Sequence, residues 1–425
     1  MGMVRIVLLA VLGCLAAFPA QGEEIALVMP DRGIEIYDTA LPRAAKQATF
    51  SQGFTANGLT CQVEYYDPSG QGFLVGGGEG ALRRGRLVDA LTHIAETINM
   101  QGELDVLVRP SETRKSGALA FAGTYYAVEA GFQDGSSLRR LREGAKPFPA
   151  YPEIELTVDF GFDWNTTLNP PAPHEADLLS VLIHEFTHGL GFATLVEANG
   201  ESSIRTDPGG HDTHVYTVFD SFIMHRSTSE YVLGGDPPTL QGGTGLLVSE
   251  ALQFGTVQHE AYAAYGQGVA PPLYAPASFI PGSSLAHWDP GDLAGGGVME
   301  PHFIAGTSRR GYSPVDVGAL RDLGYDAAQL VEVGEGEGEG EGETEVYCGL
   351  ASFALTGPPA TVELPTGVTS GAVTLQSSAV LETVDCLPGE VEVSYVLDGA
   401  PAGSSTDSDG GFPMDVVVSV GTHTV

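Results

Sequence analysis

Basic residues are scarce in this chain of 425 residues: 19 Lys and Arg stand against 54 Asp and Glu, for a formal net charge of -35. None follows Arg321, so the remainder of the chain carries acidic charge alone. That excludes nucleic acid as a partner, because neutralising a phosphate backbone takes a basic surface. It also excludes electrostatic adhesion to anionic lipid. Negative charge of this size most simply keeps a secreted protein soluble. A long apolar run is missing too. The one candidate, Ile6 to Ala17, is too short and too early for a membrane span. EF-hand spacing is absent, so no motif supports Ca²⁺. No internal repeat is evident beyond one Gly-Glu run.

What is present begins with a secretory signal over residues 1–22. Arg5 is its charged start, Ile6 to Ala17 its apolar run, and Phe18-Pro19-Ala20 precedes Gln21-Gly22-Glu23, with cleavage near Ala20 or Gly22. A variant reading takes Val11-Leu12-Gly13-Cys14 as a lipoprotein box with lipid on Cys14, although Leu12 fits it poorly. The expected location is secreted or extracellular. Of the 4 cysteines, Cys14 leaves with the signal, and Cys348 and Cys386 can form a disulfide in an oxidising compartment. Cys61 is left over and reads as a buried thiol.

Hydrophobic residues make up 43%, enough for at least one sizeable core, while Gly 57 and Pro 27 predict many turns and loops. The alternating Gly and Glu of 335–343 cannot bury a core and repel one another, so 331–346 reads as an extended linker. It separates a mixed α+β domain, 23–330, from a small module, 347–425. Val391, Val393 and Tyr395, then Val416 and Val418, alternate with other residues in that module. They predict an immunoglobulin-like β-sandwich that is incomplete or continues in a longer parent chain. In the large domain Leu87, Leu91, Ile94 and Ile98 share one helical face, and Leu104, Val106 and Val108 alternate as a strand. Ile154, Leu156, Val158 and Phe160 alternate again, as an edge strand on which an extended peptide could lie. A helix is expected from near Glu175, with Leu179, Ile183, Phe186 and Leu190 as its core stripe and Gly191 as its stop. A last helix is capped by Ser313, has Pro314 at its first position and ends at Gly324.

The helix after Glu175 carries the chemistry. In His184-Glu185-Phe186-Thr187-His188 the two imidazoles are one turn apart and project from the same face. Two neutral nitrogens so arranged can bind one zinc ion, with Glu185 beside them to accept a proton from water. A hydrolytic zinc needs three protein ligands and an open position. In the compact spacing H-E-x-x-H-x-x-G-x-x-H the third histidine would fall at Thr194, and threonine is a poor zinc ligand. The third ligand therefore comes from further along, or the site is defective. His211 and His214 lie in a polar loop that could hold a metal of its own. His225 and His259 have uninformative surroundings. Glu197, Glu201, Glu230 and Glu250 could supply a carboxylate but lack the helical context such a ligand usually has. His287 stands in Ser283-Ser284-Leu285-Ala286-His287-Trp288-Asp289, shortly before Gly297-Val298-Met299-Glu300-Pro301.

Taken together, His184-Glu185, His188, Gly191-Phe192, His287-Trp288 and Val298-Met299-Glu300-Pro301 resemble the leishmanolysin-type metzincins, which carry a long insertion before the third histidine. The resemblance continues from Gly311-Tyr312-Ser313 to Leu320-Arg321-Asp322-Leu323-Gly324-Tyr325 and covers roughly 154–325. It implies a metzincin-like zincin domain: a twisted sheet, an active-site helix and a C-terminal subdomain, with an insertion over about 195–285. It also implies that His287 is the third ligand and Met299 the methionine of the turn beneath the metal. The expected activity is that of a zinc metalloendopeptidase with one catalytic Zn²⁺, Glu185 as general base and protein or peptide substrates. His302 or Tyr312, just beyond the Met-turn, could stabilise the oxyanion. Two other classes are carried forward: a catalytically inactive zincin-fold binding protein, and an extracellular adhesion or matrix protein. In the latter the β-module would contact a cell surface or glycan.

Overall fold

The computed structural model describes residues 23–328, save 31, 40–46, 116, 206–211, 249–251, 291–292 and 294–296, together with strands within 350–419. The signal, Cys14, the Gly-Glu linker, Cys348 and Cys386 lie outside the described residues. The chain divides into two compact units, Met1–Glu332 and Val333–Val425. The first unit is α+β.

Its centre is a mixed seven-stranded sheet. The strands are β1 (Glu24–Met29), β2 (Gly33–Asp38), β3 (Phe50–Ala56), β4 (Leu59–Tyr65), β5 (Gly102–Val108), β6 (Ala120–Ala127) and β7 (Ile154–Val158). They lie in the order β2-β1-β6-β7-β5-β4-β3. β4, β5 and β7 are mutually parallel, and β6 returns antiparallel between β7 and β1. β7 is thus the middle strand, which corrects the expectation that Ile154–Phe160 forms an edge. Alternation identified the strand, but every residue of β7 is buried on both faces, as a central strand requires. Phe160 lies past the strand, in a turn.

Five helices are described: α1 (Glu79–Ile98), α2 (Ser136–Glu143), α3 (Leu178–Gly189), α4 (Glu260–Tyr265) and α5 (Pro314–Leu323). α1 buries Leu87, Leu91, Ile94 and Ile98 and ends where Asn99 takes the left-handed conformation. α3 packs against α1, β6 and β7. All twelve of its residues are buried, so the expected apolar stripe is one part of a fully enclosed helix. Each of Leu178, Val181, Leu182, Ile183 and Phe186 contributes about 1.5–3 kcal/mol by this burial. α3 begins at Leu178 rather than near Glu175, because Ala176–Asp177 first pairs in parallel with Trp164–Asn165. The Asp177 carboxylate then accepts from Ser180 N at 3.0 Å and caps the helix. α5 starts as its sequence predicts: Ser313 and Asp316 form a reciprocal capping box with Pro314 in the first turn, and Gly324 ends it at φ 109°.

The opposite face of the sheet holds a smaller cluster of Ile25, Leu27, Met29, Tyr125, Phe148 and Tyr151. Here the Glu155 carboxylate is fully buried and accepts from Tyr125 and Arg109. Cys61 is a free, buried thiol on β4, and burial pushes it up to about 12, so it stays protonated and inert. Among the described residues no helix is long and apolar enough to cross a membrane. In the second unit, β8 (Leu350–Thr356), β9 (Ser370–Leu381) and β12 (Gly411–Ser419) form one sheet. β10 (Glu392–Leu397) and β11 (Ala400–Thr406) form a hairpin.

Candidate metal centre

α3 brings His184 to one wall of a cleft, with His188 one turn further along the helix, and the chain then turns away. Leu190 caps the helix, and Gly191 follows at φ 96°, a conformation that favours glycine. The turn has a second effect: Phe192 O comes within 2.6 Å of His188 Nδ1. His184 Nδ1 lies 2.8 Å from Val298 O, in the segment leading to Met299. His287 Nδ1 lies 2.9 Å from Ser283 O. A carbonyl only accepts, so each Nδ1 carries the hydrogen and each Nε2 is left as a lone pair.

Those three lone pairs converge. His287 Nε2 is 3.3 Å from His188 Nε2 and 3.3 Å from His184 Nε2. The three ligand atoms lie within 4.8 Å of one another, and all three side chains are buried. With every Nδ1 engaged as a donor, no hydrogen stands between the Nε2 atoms, and three lone pairs this close repel unless a cation sits among them. Tetrahedral coordination at about 2.0–2.1 Å separates its nitrogens by about 3.3–3.4 Å, so the spacing fits a metal ion. Burial holds His188 well below its ordinary value, helped by the neighbouring His184 and His287. Burial likewise lowers His287 to about 4. Both shifts favour the neutral, ligating form.

Glu185 lies on the same wall and accepts from Ala122 N at 2.8 Å. The bond crosses to β6 at a buried point beyond the residues that pair with β1, Thr124 to Ala127. The cleft has a volume of about 920 Å³, and Ala120, Phe121, Val181, Pro301, His302 and Phe303 are among its walls. The Phe303 ring packs on His184 at 5.3 Å between centroids.

The supports of the centre come from three separate elements. Met299 is fully buried, and its carbonyl accepts from Trp288 N at 2.9 Å, which ties the turn at Met299 to the segment that carries His287. Asp316 at the start of α5 accepts from Trp288 Nε1 at 2.8 Å and from Val298 N at 3.0 Å. Arg310 pairs with Asp177, the cap of α3, at 2.6 Å. Asp316 and Arg310 carry no sequence motif for this role, apart from the capping pattern of Ser313 to Asp316.

The remaining candidates are accounted for individually. Thr194 donates to Asp220 at 2.5 Å, and Asp220 also accepts from Leu195 N and Thr217 N, so the position anchors the insertion. Tyr312 is held in the core: its hydroxyl meets Thr187 Oγ1 at 2.6 Å, and its ring stacks on His93 of α1. It is not among the cleft's wall residues, whereas His302 is, and is exposed there. Glu197 and Glu201 pair with Arg205, His214 sits beside Asp212, and His259 precedes α4 as its cap residue. His225 lies on the short strand Ile223–His225, and Glu230 is exposed beyond it. His211 and Glu250 lie outside the described residues. No family model, curated protein or solved structure matches the chain.

Proposed function

We propose that the protein is a secreted zinc metalloendopeptidase of the metzincin type, similar to the leishmanolysin group, with an immunoglobulin-like β-sandwich as its second unit. The observation that carries this reading is the convergence of His184, His188 and His287 Nε2 beside the carboxylate of Glu185. Three neutral imidazoles form the ligand set of hydrolytic zinc, and they leave the fourth position open. When bound there, zinc would polarise the scissile carbonyl and make water more acidic.

The chain's own residues do the rest. Glu185, oriented by the Ala122 N–H, takes the proton of the attacking water and passes it to the leaving amine. His302, exposed on the cleft wall, donates to the carbonyl oxygen as charge develops on it. An extended peptide lies beside Ala120 and Phe121, the end of β6 that lines the cleft beyond its last pair with β1, and forms main-chain hydrogen bonds there. Main-chain recognition of this kind makes modest demands on sequence. Val181, Pro301 and Phe303 offer an apolar wall to one substrate side chain.

The test is Glu185→Ala, read by metal analysis and by hydrolysis of an unfolded protein. Zinc content should be retained while turnover falls by about 10²–10⁴-fold. His287→Ala should instead lose the metal. Normal turnover by the Glu185 variant would remove the proposed base and, with it, the reading.

A further inference from the structure

The segment before the third ligand is part of the long insertion, yet it is built into the centre. Tyr274 N donates to His287 O, and Leu285 N donates to Tyr274 O, both at 2.8 Å. Leu273 bridges to Trp288 in antiparallel fashion, so Tyr274 is held against the segment that carries His287. On its other flank, Leu273 N donates to Leu252 O and Phe254 N to Pro271 O. From this fixed backbone the Tyr274 ring meets the His302 ring at 5.8 Å between centroids and 78°, an edge-to-face pair. His302 itself follows the Met-turn in an exposed stretch. An imidazole there would otherwise sample several rotamers.

We propose that Tyr274 is a positioning residue that holds the His302 ring on the cleft wall, oriented to donate to the substrate carbonyl oxygen. The inference rests on the peptidase reading and assigns the insertion a part in the reaction. An aromatic pair of this geometry shifts a rotamer population by roughly 2- to 10-fold, and turnover should follow it.

The test uses the zinc-loaded full chain and an unfolded protein substrate. Y274F keeps the ring and should keep kcat. Y274A, and Y274L as a bulkier second variant, should lower kcat by roughly 2- to 10-fold with KM and zinc content unchanged. The double variant Y274A/H302Q should be no slower than H302Q alone, because both changes remove one interaction. A second readout needs no metal. In the metal-free protein the NMR signal of the His302 ring carries the ring-current shift of Tyr274, which Y274A and Y274L should abolish and Y274F preserve. The proposal is overturned by full kcat in both Y274A and Y274L, by additive losses in the double variant, or by an unmoved His302 signal. Zinc loss in step with activity in both variants also overturns it, since Tyr274 would then serve the placement of His287. A wild-type protein that binds zinc but cleaves no unfolded substrate sinks the peptidase reading instead, and the NMR arm still reports whether Tyr274 holds His302.

Discussion

Asp316 offers the sharpest test of how the metal centre is supported. Its side chain is buried, and its two oxygens accept four hydrogen bonds: Oδ1 from Trp288 Nε1, Oδ2 from Val298 N and from both N and Oγ of Ser313. An asparagine side chain has the same shape but only one accepting oxygen. In D316N the new amide must therefore face either the Trp288 indole N–H or the Ser313 and Val298 amides, donor against donor. A buried donor left unsatisfied costs about 1–3 kcal/mol, and the lost charge adds about 1 kcal/mol more, for a total of about 2–4 kcal/mol. The effect should reach the metal, because Trp288 adjoins His287, and Val298 is the residue whose carbonyl orients His184. Loss of such supporting bonds lowers metal affinity by about 10–100-fold. Urea unfolding of the metal-free protein, followed by tryptophan fluorescence, measures the first quantity, and competition with a chelator measures the second. A destabilisation under about 0.5 kcal/mol together with unchanged zinc affinity would refute the assignment of Asp316 as the common anchor.

Two further outcomes follow from the same geometry. A bound cation would offset the repulsion between His287 Nε2 and the two nitrogens 3.3 Å from it, so the melting temperature of the zinc-loaded protein should fall on adding a chelator and recover with zinc. At a 1,000-fold excess over Kd the linkage is worth about 4 kcal/mol, and identical thermal scans with and without metal would contradict the site. Glu153 tests the other face of the sheet: burial pushes its carboxyl up to about 7 from 4.5. Between those values the folded state holds a proton that the unfolded state has released. Its contribution is therefore complete below about pH 4.5 and is lost as pH rises to about 7. E153Q stays neutral and should gain about 3 kcal/mol over the wild type as pH rises from about 4.5 to 8. Parallel pH profiles of the urea midpoint for the two proteins would rule this out.

The residues that were easy to read in the sequence share one property: their meaning is set within a turn or two of chain. His184 and His188 share a helix face because of the period of 3.6 residues, and Glu185 is the next residue in the chain. Ser313-Pro314 marks the start of α5 because the cap is a contact between neighbours. Other expectations failed where the answer lay in a distant segment. Alternation marked Ile154–Val158 as a strand, but its central place depends on β6 returning antiparallel beside it. Glu175 looked like a helix start until Ala176–Asp177 paired with Trp164–Asn165. Tyr312 stood near the Met-turn in sequence, yet packing against α1 and Thr187 carries it into the core. Tyr274 had no motif at all, and its contact with His302 exists only because the insertion folds back onto the segment that carries His287.

By itself the sequence determined the helix and the shared face of His184 and His188, since local periodicity alone dictates which side chains lie one above the other. It also marked Thr194 as unable to complete the shell. The resemblance pointed to His287 as the third ligand, but only the tertiary structure brings its nitrogen, 103 residues beyond His184, to the pair. That closure depends on where Asp316, Met299 and the insertion steer the chain, and contacts between remote segments leave no period in a sequence to be read.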